Sequence, residues 1–142
     1  MKKVYICSPL RGNYEENIRN AAFFCRAAIK KGYTPIAPHI YFPQFLDDSD
    51  ESERAAGIKC GLEALEGCEE IWVFLNPGEI PSEGMWGEIK RAAELEIPIL
   101  GFRTFDSFQA ALFGKWEKFT PFVRVLLGDE EVKEMRREKF EF

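Results

Sequence analysis

The clearest signal along the chain is an alternation of short apolar runs with segments whose apolar residues recur every three or four positions. The run "KVYICS" (3–8) is almost continuously apolar, as suits a strand buried on both faces. After the loop "PLRGN", Ile18, Ala21, Ala22, Cys25, Ala28 and Ile29 recur at helical spacing. Asn13 stands at the N-cap with Glu16 three residues on, and Gly32 follows Lys30 and Lys31 at the end. "YTPIAP" (33–38) predicts a second, proline-bounded strand, "EEIWVFLN" (69–76) a third and "IPILGF" (97–102) a fourth. Residues 55–67 carry a helical pattern, and a further helix capped by Ser82 is predicted from Glu83 to Leu95.

Between the second strand and the next helix, "HIYFPQFLDDSDESER" (39–54) reads as a long connection, first aromatic and then acidic. Strands alternating with helices predict parallel βαβ units. The expected fold class is α/β: a three-layer, flavodoxin- or Rossmann-like open parallel sheet of four to five strands with helices on both faces. One domain is expected over residues 1–142, with a core at about 3–102 and a helical extension at about 103–142 that ends in the charged amphipathic stretch "DEEVKEMRREKFEF".

Composition narrows the partners. With 19 Lys and Arg against 24 Asp and Glu the net charge is −5, and no basic run suggests a nucleic-acid polymer as partner. No apolar stretch approaches the roughly 20 residues that span a bilayer, and the first apolar run stops at Pro9 and Arg11, too early for a signal peptide. Cys7, Cys25, Cys60 and Cys68 show no metal-ligand spacing and read as reduced thiols, which agrees with a cytoplasmic location. The acidic run "DDSDESE" (47–53) lacks EF-hand spacing and reads as a solvated loop, so no metal is expected. Neither GxGxxG nor GxxxxGK[ST] occurs, and no cofactor is expected.

In an open parallel sheet, ligands bind beyond the carboxyl ends of the strands. The loops there are "SPLRGN", "PHIYFPQF" and "NPGEIPSEG". The unusual residue nearby is Glu88, which shares a helical stripe with Met85, Ala92 and Leu95. Two readings stand: a carboxylate paired with Lys90 or Arg91, or one held in a partly dry pocket where it is a nucleophile. His39, the single histidine, reads either as a contact to a base or sugar or as a structural residue bonded to backbone. Tyr41, Phe42 and Phe45 read as a hydrophobic cover over the core or as stacking surfaces for a base.

"VYICSPLRGN", together with Ser-x-Gly-x-x-x-Glu at Ser82, Gly84 and Glu88, resembles the nucleoside 2-deoxyribosyltransferase superfamily. The similarity is to its 2'-deoxynucleoside 5'-monophosphate N-glycosidase branch and to small bacterial and phage relatives that share "APHIYFPQFLDD", "ER…GI" and "CEEIWVF". It covers roughly residues 3–102. The resemblance implies a small-molecule nucleoside or nucleotide as substrate and cleavage or transfer of its N-glycosidic bond. Glu88 would attack the anomeric carbon, and Tyr5 would orient it. Arg11 and Ser82 would hold a 5'-phosphate or line that end of the pocket, and Gly84 would let backbone approach the ligand. Ser8, Gly12, His39 and Met85 fall in the same substrate-binding stretches. A homo-oligomer is also implied. One departure stands out: where the active branch has an acid to protonate the leaving base, this chain has Gly61. Glu63, Asp47 and Asp48 are the candidates to replace it. Without such an acid the alternative is a nucleotide-binding or sensing module on the same fold.

Overall fold

The computed structural model describes residues 1–10, 12–74 and 81–101, and the backbone of 123–125. Among the described residues, five strands form one parallel sheet: β1 (Lys2–Cys7), β2 (Tyr33–Ile36), β3 (Glu70–Val73), β4 (Ile99–Gly101) and β5 (Val123–Val125). Their spatial order is β2-β1-β3-β4-β5. The α-helices among the described residues are α1 (Tyr14–Lys30), α2 (Pro38–Tyr41), α3 (Glu51–Glu66) and α4 (Glu83–Glu94).

Side-chain alternation along β1 separates the layers. Val4 and Ile6 point to one face, where they join Trp72 and Leu100 from neighbouring strands and Phe24 and Ala28 from α1. Tyr5 and Cys7 point to the other, packed with Ile71, Val73 and Ile99, with Leu65 of α3 and with Met85 and Ile89 of α4. The central strands β1, β3 and β4 are thus covered on both sides, which accounts for runs that are apolar without a polar alternate. The chain runs from β1 to β2 on one side and returns to β3 on the other. The crevice between β1 and β3 is therefore the topological switch point.

Local signals place the ends. The Asn13 side chain accepts from the Glu16 backbone N–H and donates to the Glu16 carboxylate, a variant of the expected capping box. Gly32 takes φ +86°, the left-handed conformation that closes the turn into β2. Ser82 accepts from the Met85 N–H and caps α4. The four cysteines are free thiols.

Three expectations need correction. The connection 39–54 is partly helical: Pro38 opens α2, a short 3₁₀ turn follows at Phe42–Gln44, and α3 begins at Glu51 rather than at 55. Asp50 causes that early start, accepting from the Ser52 and Glu53 N–H groups as N-cap, while Asp47 accepts from Ser49. The acidic run is therefore a turn and a cap. Second, the region expected to be wholly helical contains β5, which pairs with β4 in the register Ile99↔Val123. The terminal stretch "DEEVKEMRREKFEF" lies outside the described residues. Third, Leu95 is not part of the buried stripe of α4 but caps its C-terminus, 38% exposed. The buried stripe is Met85, Trp86, Ile89, Ala92 and Ala93. At about 100° per residue Glu88 lies on the flank of that stripe, on the side of Gly84.

Candidate active site

Above the β1 end of the crevice is a cavity of about 390 Å³, a size suited to a small organic ligand. Tyr5 forms part of its floor, and Gly84, Gly87 and Glu88 of α4 form one wall. Gly57, Ile58, Gly61 and Leu62 of α3 form the opposite wall. His39, Phe42 and Leu46 close a third side, with Leu10 from the loop after β1.

The glycines shape this space. A Cβ placed on Gly84 or Gly87 would meet nothing within 4 Å, so that face of α4 opens onto the cavity. A Cβ on Gly61 would stand 3.4 Å from the Tyr5 hydroxyl. Gly61 and Tyr5 are therefore neighbours at the bottom of the site.

Glu88 is the chemical centre of the arrangement. The Tyr5 hydroxyl donates a hydrogen bond to its carboxylate. The other oxygen, Oε2, is shut off from water and has no hydrogen-bond partner. Burial raises the Glu88 pKa to about 7, although the Tyr5 hydrogen bond works in the opposite direction. Tyr5 in turn is held well above the ordinary tyrosine range, first by burial and then by the adjacent Glu88 charge. Cys7, next along β1's inner face, is raised by the same two causes, so it is a protonated thiol and no rival nucleophile. Its Sγ donates weakly to the Met85 carbonyl at 4.0 Å.

His39 lies on the wall, and its Nε2 is 2.8 Å from Ser8 Oγ. Burial lowers its pKa to about 4, so the ring is neutral at physiological pH. Of its two sequence readings, the partner found is a side chain, not backbone.

Among the residues expected at the site, Tyr5, His39, Gly84 and Glu88 converge on the cavity. Four others take different positions. Ser8 stands behind His39 as its partner. Ser82 caps α4 and is not on the wall. Met85 points into the core, 3% exposed, because it lies on the stripe that packs on the sheet. Gly12 is off the wall, exposed, in the turn before α1 with φ +93°. Arg11 lies outside the described residues. Of the three aromatics, Phe42 lines the cavity, whereas Tyr41 and Phe45 are exposed at 45% and 63%. Of the candidate acids, Asp48 reaches the wall, and Asp47 and Glu63 are exposed away from it.

Of the α3 wall, Gly61 was placed at the site from sequence, whereas Glu53, Arg54, Gly57 and Ile58 entered only as the shared motif "ER…GI", with no site role. Its signal was present: Gly57 and Gly61 are four apart within a helix, where each costs about 1 kcal/mol relative to alanine. Paired helical glycines of that kind mark a close approach, here by the Leu46 and Phe42 side chains at Gly57 and by the Tyr5 hydroxyl at Gly61.

Comparisons with known proteins fit this architecture. The fold is shared with a 2-deoxyribosyltransferase of Bacillus psychrosaccharolyticus, at 18% identity and a TM-score of 0.53, over 70% of this chain and 71% of that one. It is shared with a conserved protein of Enterococcus faecalis V583, at 17% identity and a TM-score of 0.60, over 96% and 98%. The CMP N-glycosidase BcmB of Clostridium botulinum aligns at 14% identity and a TM-score of 0.58, over 96% of each chain. No curated protein matches the sequence. The fold is thus the one that the motifs of the nucleoside 2-deoxyribosyltransferase superfamily implied. At the level of sequence, residues 2–102 match a domain family of unknown function, DUF7768, and the chain belongs to that family.

Proposed function

We propose that the protein cleaves or transfers the N-glycosidic bond of a small nucleoside or nucleotide, with Glu88 as nucleophile. The observation that carries this reading is the Glu88 Oε2, enclosed on a cavity wall without a partner while Tyr5 holds the carboxylate. A carboxylate stripped of solvent is a stronger nucleophile than one in water, and the Tyr5 hydrogen bond keeps it aimed. Attack on the anomeric carbon displaces the base and leaves a glycosyl ester on Glu88. Water or a second base then attacks the same carbon and restores the carboxylate. The activities named for the Bacillus and Clostridium proteins of the same fold support this reading.

The test is incubation with deoxynucleosides and their 5'-monophosphates, following free base by chromatography and the ester by mass spectrometry. Base release that Glu88→Gln abolishes supports the proposal; release that survives the substitution removes Glu88 from the mechanism. A 5'-phosphate requirement is read from the same panel, with Arg11 as the candidate contact.

A second reading is favoured by one observation, the glycine at position 61 beside Tyr5. A pocket without an acid at that position can bind a nucleotide without turnover. Calorimetric binding with no base release over hours supports this reading. We also propose a homo-oligomer, because Tyr41, Phe45 and Ile58 (54% exposed) present apolar surface near the mouth of the cavity. Sedimentation giving a monomer at micromolar concentration would refute it. Among the described residues no helix is long and apolar enough to cross a membrane.

A further inference from the structure

We propose that the cavity takes an N-glycoside whose base carries a formal positive charge, a ribosyl- or deoxyribosyl-pyridinium or an N7-alkylated purine, so that the base leaves without a proton from the protein. The inference rests on Glu88 as the attacking group and goes further, to the class of leaving group.

Expelling a neutral purine or pyrimidine places negative charge on a ring nitrogen, and an acid on the protein ordinarily supplies the proton. Beside Tyr5 and Glu88 the floor of this cavity holds no such donor among the described residues, and the other carboxyl groups, of Asp48, Glu53 and Glu83, stand on the walls. Gly61 offers no side chain beside Tyr5. The Tyr5 hydroxyl is committed to Glu88, and burial and the Glu88 charge make it a poorer acid than an ordinary tyrosine. His39 is a neutral imidazole at physiological pH, engaged with Ser8. The charge of the walls points the same way. Asp48, Glu53, Glu83 and Glu88 line the cavity against one guanidinium, Arg54, among the described residues. Such walls favour a cation and disfavour added negative charge. Phe42, Leu46 and Leu62 supply apolar surface for a ring.

The step balances without an acid. A Glu88 oxygen forms a bond to C1' as the C1'–N bond breaks, and that electron pair neutralises the ring nitrogen, so the base departs neutral. Water then adds to C1', the ester bond breaks, its electron pair returns to Glu88, and one proton is released to solvent.

The test compares matched pairs: 7-methylguanosine with guanosine, 7-methyl-2'-deoxyguanosine with 2'-deoxyguanosine, and nicotinamide riboside with uridine. The Glu88→Gln protein serves as blank for spontaneous cleavage. The expected result is a kcat/KM at least ~100-fold higher for each cationic member, the low end of what a general acid contributes. One proton should be released per turnover in weakly buffered solution. Gly61→Asp, which restores an acid beside Tyr5, should narrow that ratio by speeding the neutral member. Equal turnover of cationic and neutral members, abolished by Glu88→Gln, overturns this inference and leaves the glycosidase reading standing. A Gly61→Asp protein that retains activity with an unchanged ratio also overturns it. No turnover and no Glu88 ester with any member overturns both.

Discussion

At the scale of single residues, the decisive quantity is the proton on Glu88. Raising its pKa from the ordinary 4.5 to about 7 corresponds to a cost on the order of 3 kcal/mol when the group is ionised in the native chain. Between these two values the folded protein keeps a proton that the unfolded chain has lost, so stability falls as pH rises through the window. Below pH 4.5 both states are protonated and the cost is absent; above about 7 it is complete. Glu88→Gln is therefore expected to be more stable than the parent above about pH 7, by up to ~3 kcal/mol, with the gain shrinking towards pH 4.5. Urea unfolding at several pH values checks this, and a pH-independent difference would contradict it. The same ionisation governs catalysis. kcat/KM should rise with pH to a plateau, with its midpoint near 7 in the free enzyme. In Tyr5→Phe the hydrogen bond that favours the anion is lost, so that midpoint should move to higher pH, while a purely structural role for Tyr5 would leave it in place. Glu88 and Tyr5 were legible because a motif singled them out. The enclosure of the Glu88 Oε2 was not, because it depends on how α4 packs beside α3 and the sheet.

At the scale of elements, α4 shows how a helix can serve two masters. Met85, Ile89 and Ala92 bind it to the sheet, while Gly84 and Gly87 leave its other flank open to the cavity. Gly87 lies mid-helix, and a methyl group there would touch nothing within 4 Å. Gly87→Ala is thus expected to stabilise the protein by about 1 kcal/mol through helix propensity. The same methyl enters the cavity, so KM or ligand Kd should rise. A thermal melt and a binding titration on one variant separate the effects; a stabilised protein with unchanged affinity would show that ligand does not use this wall. The helices α1 and α4 were readable because caps and apolar stripes agree in them. By contrast, α3 buries only Gly61 and Leu65. Its start was hidden by "DDSDESE", in which Asp50 is a cap. Periodicity reports what a helix packs against, and this one mostly faces a cavity and solvent.

At the scale of the whole molecule, the parallel order β2-β1-β3-β4-β5 places the switch point between the first and third strands, and the cavity lies on its β1 side, over Tyr5. Alternating strand and helix signals predicted this plan, but not that the sheet gains its last strand from beyond the family domain. Residues 2–102 match DUF7768, yet β5 at Val123–Val125 pairs with β4 along Ile99, Leu100 and Gly101. The signal in "VRV" was too short to stand out among the helical spacings of phenylalanine and leucine around it. A protein ending at residue 102 would leave β4 as the edge of the sheet, with Ile99 and Leu100, both buried in the full chain, next to an unpaired row of backbone groups. An unpaired apolar edge recruits other chains, and each lost ladder bond removes about 1 kcal/mol. The truncated protein is therefore expected to unfold at a few kcal/mol less free energy and to aggregate with increasing concentration. Equilibrium unfolding and light scattering of the full and shortened chains measure both. Matching stability and a monodisperse shortened chain would mean that the 2–102 segment is a self-sufficient sheet and that β5 adds nothing to it.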